Sequence, residues 1–418
     1  MKKCVSPSAV NGQLKAPPSK SAAQRAIAIA ALADGVSEIS KPGRCDDVLA
    51  AINVCCKLGA KITKIADKLV IEGTGRKNTP ESDETVTLDC GESGLGIRMF
   101  SGIAAARGRK YLLTGRGSLL KRPMHSIEAS LRALGVDCST ENGHLPLYVK
   151  GPFNTGHASI DASLSSQVLT GILIGAPLSE SNIYLHVDSL KSKPYIDLTL
   201  KVMKAFGVEL FNSGYTRIHI PAPLNYHACS YVVEGDWSGA AFLLVAGATS
   251  GQIAVSGLKP SSAQADKRIL EALDAAGAQV SVRENEISVR KHKLMAFEFD
   301  ATHCPDLFPP LAVLAANCKG ESRIFGAGRL RAKESDRAMS ISDILGKMGI
   351  SVRVEDDTMI IKGGSIRPAT VSSHSDHRIA MAAAVAGLNA EGEVCIEGAQ
   401  AINKSYPDFF DDLDKTRQ

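Results

Sequence analysis

Apolar and polar positions along this chain keep two rhythms, and the switch between them recurs at a fixed interval. A run apolar on nearly every helical face is followed by a short polar turn, then by a strand of alternating pattern. The six copies read IAIAALADGVSEIS, GIAAARGRKYLLTG, GILIGAPLSESNIYLHV, LLVAGATSGQIAVSG, LAVLAANCKGESRIFG and AAAVAGLNAEGEVCIEG. Their turns fall at Gly35, Gly108, Ser181, Gly251, Gly320 and Gly392, separated by 73, 73, 70, 69 and 72 residues. Between them an amphipathic pattern closes on a glycine before a further strand, in CKLGAKI, RALGVDC, KAFGVEL, DAAGAQV and GKMGISV. These glycines, Gly59, Gly135, Gly207, Gly277 and Gly349, are spaced 76, 72, 70 and 72 residues apart. Glycine directly after a helix is the expected C-terminal cap.

Two independent markers with one period define a repeat. Each unit reads as strand, helix, strand, helix, strand, strand. Units of this size are too large for a thin solenoid, so two globular halves of three units each are the simpler arrangement. The pattern therefore predicts an α/β protein of two similar domains, each built from three βαβαββ units. A boundary near HACSYVVEGDWS assigns 18–230 to one domain and 231–418 to the other. Residues 1–17 are expected to cross back to the second.

The first helix of each unit should be buried, because it is apolar nearly all round. Its informative part is its N-terminus. The six starts read PPSKSAAQR, CGESGLGIR, SLSSQVLTG, GDWSGAAF, CPDLFPPL and HSDHRIAM. Helix N-termini carry unpaired N–H groups and a partial positive charge. If each half aims its three helices at the other half, the gap between them becomes an anion site. Ser21 and Arg25 are four apart and share a helix face, while Lys20 projects from the entry to that turn. The bland alternative is that Ser19 or Ser21 is only an N-cap and Lys20 is solvated. Repetition at six homologous places weighs against it. Arg98, Arg122, Lys193, Lys333, Arg337, Arg378 and Lys404 fall in loops and helix starts at the same ends. Cations gathered in this way call for multiply charged ligands, phosphates or carboxylates.

Composition narrows the classes. The chain has 418 residues, 44% of them hydrophobic, with a mean hydropathy of zero. No run approaches the roughly 18 apolar residues of a membrane span. Two lysines near the N-terminus have no apolar segment behind them, so no signal peptide is expected and the location reads as cytoplasmic. The ten cysteines show no CxxC. A reduced compartment is expected rather than a disulfide framework, and no metal site. A net charge of +4 and 5% aromatic residues argue against nucleic acid as a partner.

Ten short motifs occur in a fixed order: SKSxxxR at 19–25, GxxGxxxR at 91–98, KRP at 121–123, SLSSQ at 163–167, SKPYID at 192–197, VEGDWS at 233–238, PD at 305–306, KESDR at 333–337, SDHRIAM at 375–381 and KSYPDFF at 404–410. In this order they resemble the 5-enolpyruvylshikimate-3-phosphate synthase family of enolpyruvyl transferases, from about residue 15 to residue 410. The resemblance implies two domains of three βαβαββ units each, an inside-out α/β barrel with buried helices aimed at an interdomain cleft. It implies transfer of the enolpyruvyl group of phosphoenolpyruvate to the 5-hydroxyl of shikimate 3-phosphate, with no metal or cofactor. A monomer acting on small molecules is expected, with neither membrane nor nucleic acid as partner. Carried over residue by residue, Lys20, Ser21, Arg25, Ser165, Ser166, Gln167, Ser192, Tyr195, Asp306 and Lys333 would hold shikimate 3-phosphate. Lys20, Gly94, Arg122, Gln167, Arg337, Arg378 and Lys404 would hold phosphoenolpyruvate. Asp306 would take the proton of the attacking hydroxyl, Glu334 would protonate the methylene carbon, and Lys20 would assist as a point charge.

The sequence departs from the family's pattern at Glu92, Leu95 and Met99, where asparagine, threonine and proline are usual. Pro18 and Arg329 replace glycine and asparagine. Glu92 puts a carboxylate beside an anion site; pairing with Arg98 or Arg122 is one remedy and lower affinity another outcome. Asp236 and Asp376 are expected to be helix caps. His374 and His377 are expected to be hydrogen-bonded loop residues rather than a metal pair. The nearest rival is the sister activity on UDP-N-acetylglucosamine, whose family has Lys-Asn where this chain has Lys20-Ser21 and a reactive loop cysteine absent from GSLLKRP. A non-catalytic phosphate- or RNA-binding protein on the same scaffold is the rival of another class.

Overall fold

The structure is a computed structural model and describes residues 1–76 and 84–418. The chain forms two compact units, Pro18–Val233 and Met1–Pro17 with Glu234–Gln418.

In the Pro18–Val233 unit three four-stranded sheets follow one plan. Val86–Asp89 lies parallel to Lys110–Thr114, and His144–Lys150 then Asp137–Glu141 extend that pair antiparallel. Parallel neighbours need a crossover, and the helix Gly94–Ala105 supplies it, buried along its whole length. Strands His157–Asp161, Ile183–Asp188, Arg217–Ile220 and Phe211–Ser213 repeat the plan around the helix Gln167–Gly175. In the first repeat the outer strand comes from the far end of the unit: Ser230–Val232 lies parallel to Val36–Ser40.

The other unit borrows its N-terminal segment in the same way. Val10–Lys15 lies parallel to Gly251–Ser256, and Lys2–Val5 pairs antiparallel with Val394–Glu397. The sixth repeat differs from the expected βαβαββ order. The chain ends after Val394–Glu397 in the helix Phe409–Thr416, so Lys2–Val5 takes the place of a hairpin and the sheet has three strands.

All five period-marking glycines, Gly59, Gly135, Gly207, Gly277 and Gly349, adopt left-handed φ angles of +104°, +74°, +82°, +85° and +84°. A side chain there would cost strain at every repeat. Glycine has a second use where the helices Gly94–Ala105 and Gln167–Gly175 cross. A Cβ on Gly171 would lie 2.5 Å from the Met99 carbonyl oxygen, and one on Gly102 would lie 2.4 Å from the Gly171 carbonyl carbon. Leu95 and Met99, the family departures on this helix, are both buried. Gly171→Ala is expected to destabilise this unit by about 1–3 kcal/mol through overpacking, seen as a lower urea midpoint with unchanged slope.

The cysteine expectation is corrected in one place. Cys4 and Cys395 form a disulfide across the antiparallel pair that ties the N-terminal strand to the sixth repeat, because the strand register sets them opposite each other. The other eight cysteines are not disulfide-bonded. Among the described residues no helix is long and apolar enough to cross a membrane.

Candidate active site

In the Pro18–Val233 unit, the helix Lys20–Leu32 begins with Ser19 as N-cap, its hydroxyl accepting from Ala22 N–H. Lys20 pairs with Asp47 Oδ2 at 2.9 Å. Asp47 sits in the first turn of the next helix, Asp46–Lys57, with its side chain buried. Gln24 donates to the Asp47 carbonyl and to Ser93 Oγ, and so ties the first helix start to the second. Arg25 is fully buried and spends donors on the protein: Nε to Thr199 Oγ1 at 2.9 Å, and one terminal nitrogen to the Ser21 carbonyl at 2.8 Å. Its other terminal nitrogen reaches Thr170 Oγ1 and the Tyr195 carbonyl, both at 3.4 Å. Burial lowers its pKa to about 10.

Gly94 and Arg122 are in intimate contact. A Cβ on Gly94 would sit 2.0 Å from a terminal nitrogen of Arg122, so this guanidinium lies over the helix start because residue 94 is glycine. Arg122 Nε has no hydrogen-bond partner among the described residues. Glu92 fits for a similar reason. A Cβ at Gly117 would lie 2.3 Å from its carboxyl carbon, and the carboxylate accepts from Ser118 N–H and Oγ at 3.3 and 3.2 Å. Arg98 donates to the Gly94 and Pro123 carbonyls and braces the loop that carries Arg122.

Ser165, Ser166 and Gln167 open the helix Gln167–Gly175; Ser165 Oγ accepts from Gln167 N–H, and Ser166 is the buried N-cap residue. Ser192, left-handed at φ +56°, and Tyr195 open the helix Lys193–Ala205. Lys193 lies over the Tyr215 ring, 5.5 Å from its centroid.

The other unit gathers all six of its predicted site residues into one ion network. Arg337, the first residue of the helix Arg337–Lys347, is fully buried and is its hub. It donates to Asp306 Oδ1 at 2.6 Å, Glu334 Oε2 at 2.6 Å and Asp376 Oδ2 at 2.8 Å. Asp306 also accepts from Lys333 at 3.3 Å and Arg378 at 3.1 Å. Lys404 Nζ stands 3.9 Å from Glu334 Oε1. Four cations thus surround three carboxylates. Burial would raise the Asp306 carboxyl, but Arg378, Lys333 and Arg337 prevail and hold it well below the usual range. Burial lowers Lys333, with Asp306 opposing. For Arg337 burial works downward, yet Asp376, Glu334 and Asp306 together hold it well above its ordinary value.

Both expected caps are present. Asp236 accepts from Ser238 and Gly239 N–H groups, and Asp376 accepts from Arg378 N–H. Asp376 does more than cap, since it also takes Arg337 and Ser335. His374 pairs with Asp343 at 2.9 Å, whereas His377 is buried in a helix rather than placed in a loop. Arg329 holds the Thr302 carbonyl at 2.8 Å.

Three acidic residues escaped the sequence reading: Asp47 behind Lys20, Asp376 as a partner of Arg337, and Asp266. Asp266 is buried, takes the Ser238 hydroxyl, and is pushed up to about 7 by burial and then by Asp306, with Arg378 opposing. An aspartate in a first helical turn is common without such a role, so spacing gave no signal.

A chain of two three-repeat units with a buried cation–carboxylate cluster is built to hold small anions and to move protons beside them. A family model described as EPSP synthase (3-phosphoshikimate 1-carboxyvinyltransferase) matches residues 5–413, and the chain belongs to the EPSP synthase family. It is 40% identical to the 3-phosphoshikimate 1-carboxyvinyltransferase of Methanocorpusculum labreanum, over 99% of this chain and 98% of that one. The Thermococcus kodakarensis enzyme of the same name is also 40% identical, over 97% of each. The solved structure of EPSP synthase from Acinetobacter baumannii shares the fold with a TM-score of 0.84 at 26% identity, covering all of this chain and 98% of that one.

Proposed function

We propose that this protein transfers the enolpyruvyl group of phosphoenolpyruvate to the 5-hydroxyl of shikimate 3-phosphate, as a cytosolic monomer with neither nucleic acid nor membrane as partner. Family membership over residues 5–413 supports the reaction class. The observation that carries the chemistry is one guanidinium, Arg337, set 2.6 Å from each of two carboxylates, Asp306 and Glu334.

The reaction needs an acid and a base at one acceptor. Glu334 gives a proton to the methylene carbon of phosphoenolpyruvate while the 5-hydroxyl oxygen bonds to its neighbouring carbon and Asp306 takes the hydroxyl proton. The resulting tetrahedral intermediate then loses a proton from the new methyl group and expels phosphate. Lys20, Gly94, Arg122, Gln167, Arg337, Arg378 and Lys404 hold phosphoenolpyruvate. Lys20, Ser21, Arg25, Ser165, Ser166, Gln167, Ser192, Tyr195, Asp306 and Lys333 hold shikimate 3-phosphate. Lys20 adds a fixed positive charge while the charge on phosphoenolpyruvate redistributes. With its carboxyl held so low, Asp306 is a weak base until anionic substrate draws off part of the charge of Arg337 and Arg378; the base is thereby strengthened as substrate binds.

The test is phosphate release from phosphoenolpyruvate with either shikimate 3-phosphate or UDP-N-acetylglucosamine as acceptor. Release with the sugar nucleotide alone overturns the reading, and binding without release from either would mark a non-catalytic protein. Within the same assay, Gly94→Ala is expected to raise KM for phosphoenolpyruvate at least ten-fold, because its methyl group would displace Arg122. Removing one phosphate-binding arginine contact is worth about that factor or more. KM for shikimate 3-phosphate should change much less.

A further inference from the structure

We propose that His374 is a positioning residue for the reaction: through Asp343 it holds the turn that presents Asp376 to Arg337. This role presupposes the function proposed above, in which Arg337 and Arg378 hold phosphoenolpyruvate. The turn joins the strand Ala369–Ser372 to the helix His377–Gly387. Two of its residues, His374 and Ser375, are left-handed at φ +50° and +55°. Residues with a Cβ visit this region at a cost, and normally singly. Two in succession mark a turn that its surroundings must hold in place. Within it, His374 N–H donates to Ser372 Oγ at 3.0 Å and Ser375 N–H to Ser373 Oγ at 3.3 Å. Asp376 N–H donates to the Ser373 carbonyl at 2.9 Å. The turn delivers the Asp376 carboxylate to Arg337 Nε at 2.8 Å and to Arg378 N–H at 2.9 Å. Both arginines in turn donate to Asp306.

The helix Arg337–Lys347 meets this turn at two points. Arg337 is its first residue, and Asp343 follows about 9 Å further along the axis. His374 Nε2 lies 2.9 Å from Asp343 Oδ2. Burial would raise the Asp343 carboxyl, but hydrogen bonds from Lys347 and His374 hold it below its ordinary value. An ionised carboxylate only accepts, so Nε2 is the donor. The turn is thereby pinned twice, by Asp376 on Arg337 and by His374 on Asp343. With both pins it cannot pivot about Arg337. With the second removed, His374 and Ser375 are released toward the commoner right-handed backbone, and Asp376 moves with them. The His374 and Asp343 side chains are both half-buried. Such a pair contributes little to overall stability, so its effect belongs to placement. Displacement of a binding group by a fraction of an ångström is enough to weaken a substrate contact.

The test is steady-state kinetics of phosphate release by the full chain, with urea midpoints for each variant. His374→Ala and Asp343→Ala should each raise KM for phosphoenolpyruvate about three- to ten-fold, the scale of one half-buried ionic contact. KM for shikimate 3-phosphate should change much less. The double variant should be no worse than the poorer single one, because both lose the same contact. His374→Gln keeps an amide N–H where Nε2 stood and should stay within about two-fold of the unsubstituted chain, a rescue that a damaged fold would not show. Lys347→Ala removes the other partner of Asp343, at 3.0 Å, and should leave KM unchanged. Unchanged KM in both alanine variants, additive losses in the double variant, or equal losses with glutamine and alanine overturns the proposal. A lower urea midpoint at unchanged KM also overturns it, since the pair would then serve stability alone. No phosphate release by the unsubstituted chain would instead overturn the proposed function, and this role with it.

Discussion

Replacing Glu334 by glutamine is expected to lower kcat by about 10²–10⁴-fold, the usual worth of a placed general acid, with KM for both substrates changed little. The substitution keeps shape and one acceptor. The amide oxygen can still take the hydrogen bond that Arg337 donates at 2.6 Å, so the hub stays assembled. Lys404, 3.9 Å from the other oxygen, loses an ionic partner. What disappears is the proton. The discriminating measurement pairs steady-state kinetics with direct titration of phosphoenolpyruvate in the presence of shikimate 3-phosphate. Loss of kcat with retained affinity supports the donor assignment. Near-normal turnover would sink it and turn attention to Lys404, whose Nζ stands 3.9 Å from Glu334 Oε1. Loss of affinity alone would make Glu334 a binding group.

Much of this architecture was legible because it repeats. Gly59, Gly135, Gly207, Gly277 and Gly349 are visible in the sequence as helix stops, and all five have the left-handed backbone that a helix stop requires. The buried helices were equally plain, since a helix apolar on every side has nowhere else to go. The sixth repeat was misread because its closing strand, Lys2–Val5, lies almost the whole chain away from its partner, and sequence periodicity is blind to such distant pairing. The Cys4–Cys395 bridge was hidden by the same distance. At the site, Arg337 and Asp306 announced themselves by residue type and motif. Asp47 and Asp376 did not, because a helix-start aspartate looks the same whether it serves only its own N–H groups or also a lysine or arginine from another repeat. The room for Glu92 was legible only in part: its charge stood out, but the glycine that accommodates it, Gly117, is brought close by folding.

Substituting methionine for Arg337 should cost about 3–5 kcal/mol of stability at neutral pH, the typical penalty for removing one partner from a buried ionic cluster, and should abolish turnover. Methionine approximates the length of the side chain but leaves Asp306, Glu334 and Asp376 facing one another without the central guanidinium. Asp376 suffers most, being itself fully buried. The penalty should depend on pH with a definite sign. Asp306 is depressed in the folded protein, so the stability it contributes is present above its unfolded value of 3.8 and is lost as pH falls through its lower folded pKa. Arg337 itself stays charged throughout, its own value being raised. The gap between wild type and variant should therefore be widest near pH 7 and should shrink as pH falls from 3.8 through the lower folded pKa of Asp306. Urea midpoints at pH 7 and pH 3 measure this directly. Equal stability at pH 7 would show that the three carboxylates do not depend on Arg337. A gap undiminished at pH 3, already below the unfolded value of Asp306, would mean that the guanidinium acts by packing rather than by holding that carboxylate charged.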